Sequence, residues 1–287
     1  MPQTLTDAVR HPWNTDFSWS TPGGPFEVLT AAQAADFDEK GYVVLDALFT
    51  ADEIAAVRDE IDGLEAENEA SLRQLDGERL SIAEAGAITF TTHLVSRQPA
   101  LAAFAAHPVF SALCHDLVGP DANLYWDQAV YKKPDKPRRF PWHQDNGYTY
   151  VEPQQYLTCW VALTDATPDN GCPQVIPGAH RLGTLRHHYV EPLGWECFSD
   201  PTTVEMAPVG AGGIVVFSSL TPHLTGPNTT TAVRKAYILQ YAPEGAAILR
   251  GEWEAGQAPT GRELADAPER QFPVLRGGLA TGAPVVS

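Results

Sequence analysis

The sequence predicts a mainly β protein with flanking helices, and three observations carry that reading. From about residue 123 onward, short β-branched and aromatic runs follow one another, divided by Pro, Gly, Asn and Asp: "NLYWDQAVYKK", "QYLTCWVALTDA", "PQVIPGAH", "TVEMAPV", "GGIVVFSS" and "RKAYILQYAP". That spacing is the signature of an antiparallel sandwich or barrel. The 24 prolines and 23 glycines among 287 residues supply the turns such a body needs. Ahead of these runs the apolar period is helical, which places a helical layer before the strands.

Residues 1 to 28, rich in Pro, Gly and Trp without a clear period, read as an arm on the surface. Thr30 with Gln33, and Thr50 with Glu53, fit the capping box, in which a hydroxyl and a side-chain oxygen satisfy free N–H groups of a first turn. In the second helix Ile54, Val57, Ile61 and Leu64 recur at helical spacing and make one apolar face. Between the helices, "GYVVLDALF" is a short strand begun by Gly41. A further helical stretch over 98–117 completes the layer. The expected organisation is one domain over 1–287: an arm (1–28), a mainly helical layer (29–120), a β core (121–245) and a C-terminal extension (246–287). Within the extension "APTGRELADAPER" reads as a flexible link, and "QFPVLRGG" as a segment that docks back on the body.

An apolar content of 44% with 19% charged residues is that of a globular chain rather than a disordered one. Acidic residues outnumber basic ones 36 to 19, a formal charge of −17, so nucleic acid and anionic membrane surfaces are disfavoured as partners. No run approaches the roughly 20 apolar residues that span a bilayer. The first residues lack the apolar core of a signal peptide, and a cytoplasmic address is expected. Cys114, Cys159, Cys172 and Cys197 form no framework and read as reduced thiols. Against the overall charge, "YKKPDKPRRF" at 131–140 carries five basic residues. It is either a solvated loop or an attraction for an anionic substrate or cosubstrate.

In "PWHQDNGYTY" at 141–150 one residue separates His143 from Asp145, so on an extended segment both side chains share a face. An imidazole and a carboxylate together suit a borderline divalent metal. The pair alone is equally an ordinary hydrogen-bonded couple. A third ligand candidate is His223, which follows a buried-looking strand and a turn, with Arg234 11 residues later at the entry to the next strand. Two histidines and one carboxylate occupy one face of an octahedral ion and leave the opposite positions free for a bidentate ligand and oxygen. An arginine across the pocket suits the far end of a dicarboxylate, because its planar fork donates two parallel hydrogen bonds. Taken alone, Arg234 would be a structural salt bridge.

The ordered set of H-x-D, "DNGCPQVIPGAHRLG" at 169–183, and H-x-T with an arginine 11 residues after the histidine resembles the phytanoyl-CoA dioxygenase family. The likeness runs from "FDEKGYVVLDALFTADEI" at 37–54 to about residue 243. It implies a double-stranded β-helix (jelly roll, cupin-like) core and an oxygenase dependent on Fe(II), 2-oxoglutarate and O2. It implies that His143, Asp145 and His223 hold the iron, and that Arg234 with Thr225 anchors the distal carboxylate of 2-oxoglutarate. Gln128 and Trp160 match positions that line the cosubstrate, although the alternating strand around Trp160 suits core packing equally. Some members use a lysine upstream of the first ligand. This chain has "ITFTTH" at 88–93 instead, leaving that contact to Thr91, His93 or neither. Halogenating relatives replace the carboxylate ligand by a small residue, so Asp145 favours hydroxylation, or another oxidation, of an unactivated C–H bond in a small organic metabolite, with release of succinate and CO2.

Two alternatives stay open at this level. One is a cupin-like metal-binding protein without redox activity, for which Arg234 would have no use. The other is an enzyme of the same fold that desaturates, epimerises or closes a ring. Among the remaining residues His180 reads as structural, and Asn170 and Gly171 as a turn. The neighbours His187 and His188 point to opposite faces of a loop near the site entrance. Tyr148, Tyr150, Trp195 and Phe198 are candidates for an aromatic pocket wall.

Overall fold

The computed structural model describes residues 2–282 and 284. Its centre is a large antiparallel sheet whose main strands are β1 (Tyr42–Leu45), β2 (Ile88–Thr92), β3 (Ala122–Lys132), β4 (Leu157–Ala162), β6 (Ile214–Ser218) and β8 (Arg234–Pro243). They lie in the order β1, β6, β4, β8, β3, β2. A small sheet of β5 (Pro173–Val175), β7 (His223–Thr225) and Glu205–Met206 faces it. Two facing antiparallel sheets with these crossovers are the jelly-roll body expected from the sequence.

Strand alternation gives the large sheet two buried faces. Cys159, Val161, Ile214, Val216, Tyr237 and Leu239 point to one side, into a core shared with Ile54, Ile61, Phe104 and Phe110 of the helices. The residues between them, Trp160, Ala162, Val215, Phe217, Ala236 and Ile238, point to the other side, toward Cys172 and Val175 of the small sheet. The second set forms the interior of the roll. Burial of each large apolar side chain stabilises by ~1.5–3 kcal/mol, so a one-residue slip of any central strand would exchange both cores at once.

The helical layer consists of α1 (Ala31–Lys40), α2 (Ala51–Leu72), α3 (Pro99–Ala105) and α4 (Pro108–Leu117). Both capping boxes form: the Thr30 hydroxyl accepts from Gln33 N, and the Thr50 hydroxyl from Glu53 N, each at 3.2 Å. The apolar stretch expected as one helix is two. Pro108 stands at the first position of α4, where its missing N–H is not needed, and cannot continue α3. Both pieces pack into the helical core, with Leu101, Ala105, Phe110 and Leu113 fully buried.

The layer over 29–120 also contributes β1 and β2 to the main sheet, so strands and helices alternate there. Beyond the roll, "APTGRELADAPER" is no flexible link: Gly261–Leu264 pairs with Ala247–Arg250, which pairs with Val151–Glu152. Near the end of the chain β9 (Pro273–Arg276) pairs with the start of β3, so this segment does dock on the body.

Candidate metal centre and its cavity

The two histidines are brought together by backbone pairing. His143 N donates to His223 O at 3.0 Å, and His223 N to His143 O at 2.8 Å, a bridge that adds the 143 segment beside β7. Each ring then uses Nδ1 toward the carbonyl two residues before it, Pro141 O at 2.9 Å and Thr221 O at 3.0 Å. A carbonyl only accepts, so Nδ1 carries the hydrogen in both rings and Nε2 keeps its lone pair. Both Nε2 atoms stand 3.9 Å from Asp145 Oδ1. The three donor atoms lie within 4.8 Å of one another. Burial, with His223 a lesser contributor, holds the His143 imidazole well below its usual pKa, hence neutral as a ligand must be.

The chain is extended only as far as Gln144 and turns helical at Asp145. Asp145 is held by one oxygen: Oδ2 accepts from the Thr158 hydroxyl at 2.6 Å, leaving Oδ1 toward the histidines. Gln144 Nε2 donates to Gly183 O at 3.0 Å and Leu220 O at 2.6 Å, and Oε1 accepts from Leu185 N at 2.6 Å. His187 Nε2 accepts from Gln144 N at 3.0 Å. Gly147 lies against the His187 ring so closely that any β-carbon would collide with it. Of the neighbouring histidines, then, His187 is a buried support of the ligand turn, while His188 is exposed.

His143, Asp145 and His223 open on a cavity of about 300 Å³ inside the roll. Gln128, Trp160 and Thr225 line it too. Gln128 and Trp160 sit in one row across the sheet, on either side of Ile238. Arg234 shares the face of Ile238 and Gln240 by strand alternation, and is fully buried. Its guanidinium lies 5.0 Å from the Trp160 ring centroid, and its only hydrogen bond among the described residues is a long one, 3.4 Å, to Val130 O. Nε and Nη2 are buried without a partner among the described residues. Burial pushes this guanidinium down to about 9. No carboxylate among the described residues pairs with it.

The contact left to Thr91, His93 or neither falls to neither. Ile88 and Phe90 line the cavity, so Thr91, one residue out of phase, faces away. His93 turns out of the strand with φ 56° and packs edge-on to Trp126.

The tip of the basic 131–140 loop, residues 135–137, is exposed as the solvated reading expects, but its charges are paired. Lys133 pairs with Glu65, Lys136 with Glu78, Arg138 with Glu84 and Arg139 with Glu196. Lys132 is buried and donates to the carbonyls of Thr225, Gly226 and Arg138. The pairs to Glu65, Glu78 and Glu84 tie the loop to the helical layer, while Arg139 pairs with the 188–196 hairpin. Of the expected aromatic wall only Tyr148 lines the cavity. Tyr150 packs on His11 and Trp13, Trp195 on Tyr189 and Trp253, and Phe198 lies in a separate small core. The wall is made instead by Tyr125, Trp126, Tyr156 and Gln240. Trp126 and Gln240 are in phase with Gln128 and Ile238, whereas Tyr125 falls at a β-bulge of β3 and Tyr156 just ahead of β4, which no sequence period marks.

The donor chemistry fits a ferrous ion: two neutral imidazoles and one carboxylate on one side, with the cavity on the other. Comparison with known proteins agrees. Residues 37–236 match the family model described as phytanoyl-CoA dioxygenase (PhyH). An ectoine dioxygenase of Sphingopyxis alaskensis is 28% identical over 235 residues, 74% of this chain and 76% of that protein. Among solved structures, EvdO2 from Micromonospora carbonacea var. aurantiaca complexed with 2-oxoglutarate aligns with a TM-score of 0.59 and 25% identity, covering 85% of this chain and 97% of that one. The epimerase SnoN in complex with Fe3+, alpha ketoglutarate and nogalamycin RO aligns with a TM-score of 0.61, over 89% and 95% of the two chains, at 22% identity. The chain belongs to the phytanoyl-CoA dioxygenase (PhyH) family and is an iron- and 2-oxoglutarate-dependent oxygenase.

Proposed function

We propose that His143, Asp145 and His223 hold one ferrous ion, that Arg234 with Thr225 binds the distal carboxylate of 2-oxoglutarate, and that the enzyme hydroxylates a C–H bond of a small organic molecule in the cytoplasm. The observation that carries the assignment is the fully buried Arg234 guanidinium, two of whose nitrogens have no partner among the described residues, on the inner face of the roll that holds the triad. Leaving a buried cation unpaired is costly, and a carboxylate that arrives with the cosubstrate relieves the cost. When bound, iron and 2-oxoglutarate together supply the oxidising chemistry, with succinate and CO2 as coproducts.

The protein's share is placement. The Nδ1–H groups of both histidines are fixed by Pro141 O and Thr221 O, so Nε2 is presented without a tautomeric change. Thr158 holds Oδ2 of Asp145. Phe140, Phe217 and Ile238 make the inner walls apolar and restrict water. Asp145 already supplies an anionic donor where a halide would have to bind, which supports oxygenation over halogenation. All four cysteines are free, as suits a reducing compartment. The direct test is anaerobic addition of Fe(II) and 2-oxoglutarate. A weak visible absorption band is expected, and it should be lost in His143→Ala; a colourless wild-type protein at saturation would refute the assignment.

A further inference from the structure

The part of the cavity beyond the metal ligands has its own chemistry, and it selects a substrate class. Tyr125, Tyr156 and Gln240 line it and are 7%, 3% and 6% exposed. The two phenol rings pack edge-on, 5.5 Å between centroids, and their hydroxyls form no hydrogen bond among the described residues. Gln240 spends one amide atom on a long, 3.4 Å contact to Thr158 and keeps the other free. Trp126 and Tyr148 add aromatic surface, and Thr149 a further hydroxyl. Three buried polar side chains with spare capacity, aimed into one chamber, are a built recognition site.

Charge narrows the class. Among the described residues no lysine or arginine lines the cavity, and the neighbouring basic residues other than Arg234 are engaged with acids or carbonyls. Once iron, Asp145, 2-oxoglutarate and Arg234 are together, their formal charges cancel, so no net charge remains to hold an ionic substrate. Phenol and amide groups both donate and accept, which matches hydroxyls, carbonyls and amides. About 300 Å³, part of it given to the cosubstrate, is at the lower end of ligand pockets. We propose that the enzyme acts on a compact, uncharged molecule, or the compact uncharged end of a larger one, gripped by hydrogen bonds from Tyr125, Tyr156 and Gln240, and that it does not take a CoA thioester by its phosphates. This rests on the oxygenase reading above.

The test uses matched probes on two rings: benzamide, benzylamine and benzoate, and cyclohexanecarboxamide, cyclohexylmethylamine and cyclohexanecarboxylate. Each is titrated by ligand-observed NMR into anaerobic protein with Fe(II) and saturating 2-oxoglutarate, so that no carboxylate probe competes for Arg234. The amides should bind at least threefold more tightly than either charged partner. Tyr125→Phe and Tyr156→Phe, which remove only a hydroxyl, should each weaken amide binding roughly three- to tenfold. Equal or tighter binding of the amines or carboxylates overturns the proposal, as does amide binding untouched by both variants, or no binding of any probe. The visible band, read on the same samples, reports separately on the iron and 2-oxoglutarate assignment. A missing band with amide selectivity intact would sink that assignment alone.

Discussion

Replacing Arg234 by Met separates a cosubstrate anchor from a structural cation, because the two roles predict opposite things for the ligand-free protein. The guanidinium is fully buried with one weak hydrogen bond, and burial pushes it from 12.5 to about 9, a cost on the order of several kcal/mol for the charged form. Loss of packing on Trp160 should cost ~1–3 kcal/mol, and relief of that charge should offset it. The ligand-free variant is therefore expected to melt within a few degrees of wild type, or above it. Binding is another matter. Two charge-assisted hydrogen bonds of ~1.5–3 kcal/mol each imply at least a hundredfold weaker 2-oxoglutarate affinity. At a cosubstrate concentration one hundred times the wild-type Kd, wild type gains ~2.7 kcal/mol and the variant ~0.4 kcal/mol. At roughly 2–4 °C per kcal/mol for a domain of this size, the thermal shift drops from about 5–10 °C to about 1 °C. Anaerobic thermal melts with Fe(II), with and without 2-oxoglutarate, measure both. An unchanged shift, or a ligand-free variant that has lost 10 °C or more, would refute the reasoning.

Three further expectations concern the frame around the triad. Thr158→Val removes the 2.6 Å hydrogen bond to Asp145 at nearly constant volume and should lower Co(II) affinity roughly tenfold, read by absorption titration; unchanged affinity would mean the carboxylate needs no such support. His180 and His187 are both held down to about 4 by burial. Below pH 6.5 the unfolded chain takes up protons that these folded imidazoles refuse, so stability should fall by up to roughly 3 kcal/mol per residue between pH 6.5 and 4. Urea midpoints at pH 7.5 and 5.0 check this, and a midpoint that holds or rises at pH 5.0 contradicts it. Gly147→Ala drives a methyl into the His187 ring and should cost ~1–3 kcal/mol in chemical denaturation, with weaker Co(II) binding; a neutral result would show that the ring can move aside.

Strand alternation made the two-faced sheet legible: the residues of "QYLTCWVALTDA" and "RKAYILQYAP" divide between two cores as period two requires. The shared face of His143 and Asp145 was legible for a similar reason, since Gln144 is extended and the side chains on either side of it come out together. The same parity failed one step later. The helical turn Asp145–Tyr148 resets the phase, which is why Tyr148 reaches the cavity and Tyr150 packs on His11. The pairing of the basic loop was not legible because its partners lie far away in the chain. Glu65 and Glu84 belong to α2 and to the hairpin before β2, and no local pattern announces a contact across 68 or 54 positions. Tyr125, Tyr156 and Gln240 escaped notice because Tyr125 lies at a bulge of β3 and Tyr156 just ahead of β4, and neither shares a period with Gln240 until the strands are laid side by side.

Gln144, the residue between two of the proposed ligands, shows how the fold itself keeps the triad in place. His143 and His223 are joined by the backbone, yet a single bridge can hinge. The Gln144 amide removes that freedom. Its nitrogen reaches Leu220 O, three residues before His223, and Gly183 O, while its oxygen takes Leu185 N. The Asn146 side chain repeats the pattern, taking Val151 N and donating to Thr184, and Asn146 N donates to Ser219 O. The ligand turn is thus tied on both flanks to the loop before His223 and to the 183–187 segment, by groups buried from water. Breaking any of these bonds would leave a buried donor or acceptor unpaired, at a cost of ~1–3 kcal/mol each. Moving the 143–146 segment away from β7 would break several together, so the facial arrangement is a property of the folded chain.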